Sequence, residues 1–323
     1  MTSSRTTGSL AAVLLTQRIV DVPDAAPFSA REVWAILERV DDPSGLLGAD
    51  ASAIAQRAAV DAPTAERMLR RFDAATAVAF ELDDLEQSGI RVLSPLDDEF
   101  PRPLADRLGN AAPPLLYVAG DASLLSGDLI GIVGSRDVDE DGARVAREIA
   151  ATAVAHGFGV VSGGARGVDR LAMNAALDAG GPTVGVLADS LLRTVRDADT
   201  RRAILAGSAC LCTPFKPSAA FSAGNAMARN KVVYALAAAV VVVATAHESG
   251  GTWAGAVEAL ERGYSRVVSW TGAGAGPGNG ALVERGAIGL DDADQLLPLP
   301  AGDELADLNG RIRGGGDQLH LDV

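Results

Sequence analysis

The sequence predicts an α/β fold: a parallel sheet covered by helices on both faces, behind a small helical region. Three observations carry this prediction. From residue 129 onward, short apolar runs alternate with helix-like stretches. Those runs are continuously apolar, as strands buried on both faces must be. Ahead of them, residues 29–85 are patterned at helical spacing and open on Ser29-Ala30-Arg31-Glu32, a capping box in which serine and glutamate satisfy each other's backbone amides. The chain has 323 residues, 48% of them hydrophobic, enough to bury a sizeable core.

Along the chain, Phe28 is placed to staple against Val33, ahead of an apolar face of Val33, Ile36 and Leu37. Residues 65–72 read as another short helix, with Met68, Leu69 and Phe72 inward. Residues 89–93 form a strand running into the acidic loop 97–101, and 113–118 a stiff entry to a second strand that turns out at Gly120-Asp121. Strands are then expected over 129–133, 159–162, 183–187, 209–211, 239–245 and 266–269, with helices over 143–156, 168–179, 199–205, 226–236 and 253–262. Ligands of such sheets bind outside the carboxyl ends of the strands, so residues just after each strand are the functional candidates. The expected division is a helical N-terminal domain at 1–88, a sheet domain at 89–300 and a flexible Pro/Gly/Asp-rich tail at 301–323. No small-residue cleavage site follows the first apolar stretch, which reads as a structured segment and not a signal peptide.

Composition narrows the function. Cys210 and Cys212 share one face of any strand and point to a reducing cytoplasm. The longest apolar run, 232–244, has 13 residues, too few to span a bilayer. His156, His247 and His320 are scattered and the cysteines lack zinc-site spacing, so neither a metal nor another cofactor is expected. No Gly-x-Ser-x-Gly elbow marks a serine nucleophile. The net charge of −14 speaks against nucleic acid when taken whole. Between residues 129 and 270, however, 14 Lys/Arg meet 13 Asp/Glu, so the acidity lies outside the middle of the chain.

Three constellations follow strands. The first is Gly131-Ile132-Val133-Gly134-Ser135-Arg136, where a glycine lets backbone amides approach an anion, Ser135 adds a hydroxyl and Arg136 a forked cation. A plain strand-to-helix turn, capped by Asp139 or Asp141, accounts for it equally. The second is Ser162-Gly163-Gly164-Ala165-Arg166-Gly167-Val168-Asp169, a loop that brings bare backbone close to something, either a ligand or a neighbouring helix. A bulky residue at Gly163 is expected to abolish binding and spare the fold, because the loop lies outside the sheet. The third joins Arg229-Asn230-Lys231, most simply a solvated helix end, to Ser249-Gly250-Gly251-Thr252, where a helix opens with free amides for a phosphate. Trp253 is a candidate to stack on a base, or a buried tryptophan.

These pieces resemble the DNA-processing protein A family (DprA, also called Smf), over roughly residues 89–297. The resemblance is carried in order by Leu96-Asp97-Asp98-Glu99-Phe100-Pro101, Pro114-Leu115-Leu116-Tyr117-Val118-Ala119-Gly120, Ile132-Val133-Gly134-Ser135-Arg136, residues 162–169 and 183–187, Arg229-Asn230-Lys231, Ser249-Gly250 and residues 279–287. It implies an extended Rossmann-like domain behind a small helical domain, a dimer through the Rossmann-like part, and delivery of single-stranded DNA to the RecA recombinase in transformation or recombination. It also implies that Ser135, Arg136, Ser162, Gly163, Arg166, Asn230 and Lys231 line the DNA pocket. The chain departs from the family pattern at Met173, at Ala188-Asp189-Ser190, which places a carboxylate at the pocket rim, at Ala226 to Ala228 before Arg229, and at Ala244. Gly250-Gly251-Thr252 is closer to the turn of nucleoside-phosphate hydrolases of this fold. A non-catalytic strand binder is therefore the first expectation. A nucleoside-monophosphate phosphoribohydrolase-like enzyme and a sensor of a nucleotide derivative are the alternatives.

Overall fold

The computed structural model describes residues 6–296; the tail expected at 301–323 lies outside the described residues. Five helices open the chain: α1 (Thr7–Thr16), α2 (Ala30–Leu37), α3 (Ala51–Ala58), α4 (Ala62–Asp73) and α5 (Ala75–Gln87). Local chemistry starts them, since Thr6, Ser29, Asp50 and Asp61 each accept an orphan amide of the first turn, and the capping box at Ser29 and Glu32 is complete. Their apolar faces meet in a core of Leu14, Leu15, Val33, Ile54, Met68 and Val78. Arg71 is buried there because its guanidinium donates to the carbonyls of Leu14 (2.9 Å) and Gln17 (2.6 Å), taking up groups that the end of α1 leaves unpaired.

Nine strands follow: β1 (Arg91–Leu93), β2 (Leu116–Gly120), β3 (Leu129–Val133), β4 (Gly159–Ser162), β5 (Thr183–Val186), β6 (Ala209–Thr213), β7 (Ala239–Val242), β8 (Arg266–Trp270) and β9 (Ile288–Leu290). They form one sheet in the order β1-β2-β6-β5-β4-β3-β7-β8-β9. β6 through β9 in that order run parallel, and the hairpin-like edge of β1 and β2 joins β6 antiparallel, with Val118 opposite Cys212. The expected strand at 239–245 stops at Val242, because the side-chain amide of Asn279 takes the carbonyls of Val242 and Val243 and leads the chain out of the ladder.

Between the strands lie α6 (Arg102–Leu108), α7 (Glu140–Ala155), α8 (Val168–Asp178), α9 (Leu191–Thr194), α10 (Ala198–Leu205), α11 (Ala223–Leu236), α12 (Gly250–Arg262) and α13 (Asn279–Glu284). One face of the sheet packs on α6, α11 and α12 through Val118, Val184, Cys212, Val240 and Val242. The opposite face packs on α7 and α8 through Ile130, Ile132, Val160 and Val241. Towards the β1 edge, Tyr117, Ala119 and Leu211 meet the core of the N-terminal helices. The α/β prediction is thus met, with both faces covered. The strand order reverses between β3 and β7: β3 continues to β4 on one side, while the chain crosses to β7 on the other. At such a reversal the loops part and leave a crevice.

Candidate nucleic-acid interface

That crevice is present. A cleft of about 480 Å³ lies beyond the carboxyl ends of β3 and β7, in the size range of small-ligand sites. Gly134, Ser135 and Arg136 form one wall, α11 forms the second through Ala226, Arg229 and Asn230, and Ser249 to Thr252 at the start of α12 form the third. The walls are tied together: Thr252 Oγ1 donates to the Gly134 carbonyl (3.1 Å) and Asn230 Nδ2 to the Gly251 carbonyl (2.9 Å). Ser249 makes no side-chain cap on α12, so the first-turn amides remain turned towards the cleft with the positive end of the helix dipole.

At the base lie two buried opposite charges that feel each other without forming an ion pair within 4.0 Å. Asp169 is 7% exposed and Arg229 5%. Burial pushes the Asp169 carboxyl above its usual range, while facing Arg229 and the amides of Ala165, Gly134 and Gly163 draw it back down. Burial likewise lowers Arg229, which Asp169 holds up in turn, and its Nη1 donates to the Val186 carbonyl at 2.8 Å. The Asp169 carboxylate therefore gathers two loops, and Arg229 locks α11 to β5. Tyr234, buried beside them, presents its hydroxyl without a partner among the described residues.

The structure brings together Gly134, Ser135, Arg136, Asp169, Arg229, Asn230, Ser249, Gly250, Gly251 and Thr252, and sets the other candidates elsewhere. Arg229 is no solvated helix end. Ser162 is fully buried and donates to the Ile132 carbonyl (2.6 Å), so its hydroxyl ties β4 to β3 and reaches no ligand. Gly163 abuts the Arg229 guanidinium, and Gly167 lies against the backbone of Ser135 and Arg136; with Gly164 they form the loop contact and not the cleft wall. The expectation that a bulky residue at Gly163 abolishes binding and spares the fold meets an obstacle, since a Cβ there collides with the buried Arg229 guanidinium, which must shift. Arg166 is exposed and paired with Asp137 at 2.6 Å. Lys231 leaves the cleft altogether, because residues one apart from Asn230 on a helix point to another face. Asp189 is engaged by Arg193 at 2.7 Å and does not line the cleft. Trp253 is buried under His247 (ring centroids 5.5 Å) and Arg285, and offers no stacking face in the cleft.

The stacking face that sequence reasoning missed is Phe221. Its ring is 52% exposed at the cleft mouth, with the Arg136 guanidinium 4.9 Å from the ring centroid, and exposed Met227 lines the same cleft. The only signal for it was an aromatic residue in a polar approach to a helix, in a chain only 4% aromatic. No helix among the described residues is long and apolar enough to cross a membrane, and no cluster there has the make-up of a metal site.

A mostly parallel sheet with a crevice at its strand reversal, walled by glycine turns and a helix N-terminus, defines a protein of the Rossmann-like class. Within that class the chain belongs to the DNA recombination-mediator protein A family, whose profile matches residues 91–299. It is 32% identical over 236 residues to the putative DNA processing protein DprA of Mycobacterium tuberculosis, covering 67% of this chain and 59% of that one. To protein Smf of Escherichia coli it is 31% identical over 212 residues, 64% of this chain and 55% of that one. The chain thus spans less than two thirds of the length of these relatives. In fold it is similar to DprA of Streptococcus pneumoniae (TM-score 0.67, 24% identity, 83% of this chain and 92% of that one). A second likeness is to DNA processing protein A of Helicobacter pylori, described for its single-stranded DNA binding mode (TM-score 0.52, 22% identity, 69% and 96% covered).

Proposed function

We propose that the chain is a recombination mediator that holds single-stranded DNA in the cleft at the strand reversal. The observation that carries this reading is the rim at Arg136 and Phe221: a cation and an exposed ring at 4.9 Å, above the amides opening α12. Phosphates are caught by Arg136 and those amides, and a base stacks on the Phe221 ring. Arg229, already bound to Val186 and facing Asp169, contributes field more than direct contact. Family membership and the binding mode named for the Helicobacter pylori protein support the choice of ligand. Delivery to RecA, a role in natural transformation and pairing into a homodimer follow from the resemblance, whereas the cytoplasmic location rests on the two cysteines and the division into helical and Rossmann-like domains on the change of sequence pattern near residue 89.

Anisotropy titration of labelled oligothymidylate against salt tests the reading. The log–log slope should be about −0.7 per phosphate contacted, and Arg136→Ala should make it shallower by about that amount. Binding that ignores salt, or an Arg136→Ala slope equal to wild type, would refute it. Incubation with nucleoside monophosphates separates the enzymatic alternative, which alone predicts released base.

A further inference from the structure

A second hollow of about 510 Å³ lies on the other side of α11, between that helix, the turn after β6 and the N-terminal helices. Its cations are Arg18, Lys216 and Lys231, and no acidic residue lines it. Lys216 and Lys231 are the only lysines in the whole chain, whose net charge is −14. Among the described residues the side chain of none of these three cations makes an ion pair or a hydrogen bond. By contrast, the cleft at the strand reversal mixes Arg136 and Arg229 with Asp137 and Asp169. Half-buried Phe215 lines the hollow beside these cations, with Tyr117 buried behind, so unopposed positive charge meets one accessible aromatic ring. Backbone-tracking cations beside rings are what single-stranded nucleic acid requires.

The two hollows share one ridge. Ala226, Met227 and Asn230 of α11 face the cleft, while Ala228, Lys231 and Val232 face the second hollow. A helix with its side chains is about 10–12 Å across, a distance that a few nucleotides of a single strand cover. We propose that this groove carries the continuation of the strand held in the cleft, one single strand crossing the N-terminal half of α11 from Arg136 to Lys231 and Lys216. This rests on the reading of the cleft as a DNA site. Lys231, two residues from the buried Arg229, is thereby given its own role, on the outgoing strand.

Length dependence tests it. Labelled oligothymidylates of about 4 and about 16 nucleotides, the limits of common single-strand site sizes, are titrated against wild type, Lys216→Ala/Lys231→Ala and Arg136→Ala. The lysine variant should bind the long oligomer about five- to tenfold more weakly, with a salt slope shallower by about 1.4, and hold the short oligomer as wild type does. Retained short-oligomer binding also certifies the fold of the variant. Wild-type affinity of the lysine variant for the long oligomer, beside a weakened Arg136→Ala, overturns the groove and leaves the cleft intact. Equal weakening for both lengths overturns it too, by returning the lysines to the cleft. If polyglutamate binding is lost in the lysine variant and the long oligomer is unaffected, the occupant is an acidic peptide and the proposal falls. No change for Arg136→Ala with either length sinks the cleft reading and, with it, the continuity proposed here.

Discussion

Gly163→Ala is a one-methyl change whose sign should depend on a residue in another element. The new Cβ strikes the Arg229 guanidinium, which must leave its place against Val186 and Asp169. The lost charged hydrogen bond is worth about 1.5–3 kcal/mol, and parting the two buried charges adds to it. Backbone strain contributes nothing, since the positive-φ glycines of this loop are Gly164 and Gly167 and not Gly163. Arg229→Ala alone leaves Asp169 buried without its counter-charge and should cost about 3–5 kcal/mol. The three nearest atoms that a Cβ would meet all belong to that guanidinium, so in its absence Gly163→Ala should stabilise by about 0.4–1 kcal/mol through the unfolded chain. Urea unfolding of the four proteins at neutral pH measures the cycle, with an expected coupling of about 2 kcal/mol or more. An equal cost for Gly163→Ala in both backgrounds would refute the account of Arg229 as a buried lock.

Two further outcomes follow from exposure and burial. Phe221→Ala should weaken oligonucleotide binding by about 1–3 kcal/mol, the worth of one stacked base, and leave the urea midpoint where it was, since the ring is 52% exposed; unchanged binding would remove the ring from the site. Burial pushes the Cys212 thiol up to about 12 and the Cys210 thiol well above its usual value. At pH 8 both should resist iodoacetamide in the folded protein and react on addition of denaturant, and labelling of the native protein would contradict that packing.

The fold was legible wherever burial leaves a one-dimensional trace. The apolar run at Val240 to Val242 reads as a strand covered on both sides, and Ser29 with Glu32 announces its helix from four residues. The turns after β3 and at the start of α12 were legible for the same reason, because amide-exposing glycines follow apolar runs directly. The fate of Arg229 was not. Its partner Val186 lies 43 residues earlier, and only the strand order brings β5 beneath α11. Nor does α11 display an apolar stripe to betray which side is inward, since it packs against the sheet, α6 and α12 at once. The separation of Lys231 from Asn230 was available from helix geometry, yet grouping the two by motif concealed it.

The side chain of Asn279 has a consequence for the cleft. Its amide nitrogen binds the carbonyls of Val242, Val243 and Trp270, and its oxygen accepts from the amides of Thr245 and Gly276. Beside it, Gly276 and Gly278 press directly on the backbone of Thr245 and Ala246, where no larger residue fits. The turn that leads into α12, and so one wall of the cleft, is held in shape by a segment made some thirty residues later. The cleft wall at the start of α12 therefore keeps its shape only with residues 276–279 seated against Thr245 and Ala246. One buried amide thus ties the shape of that wall to a segment that lies beyond β8 in the chain.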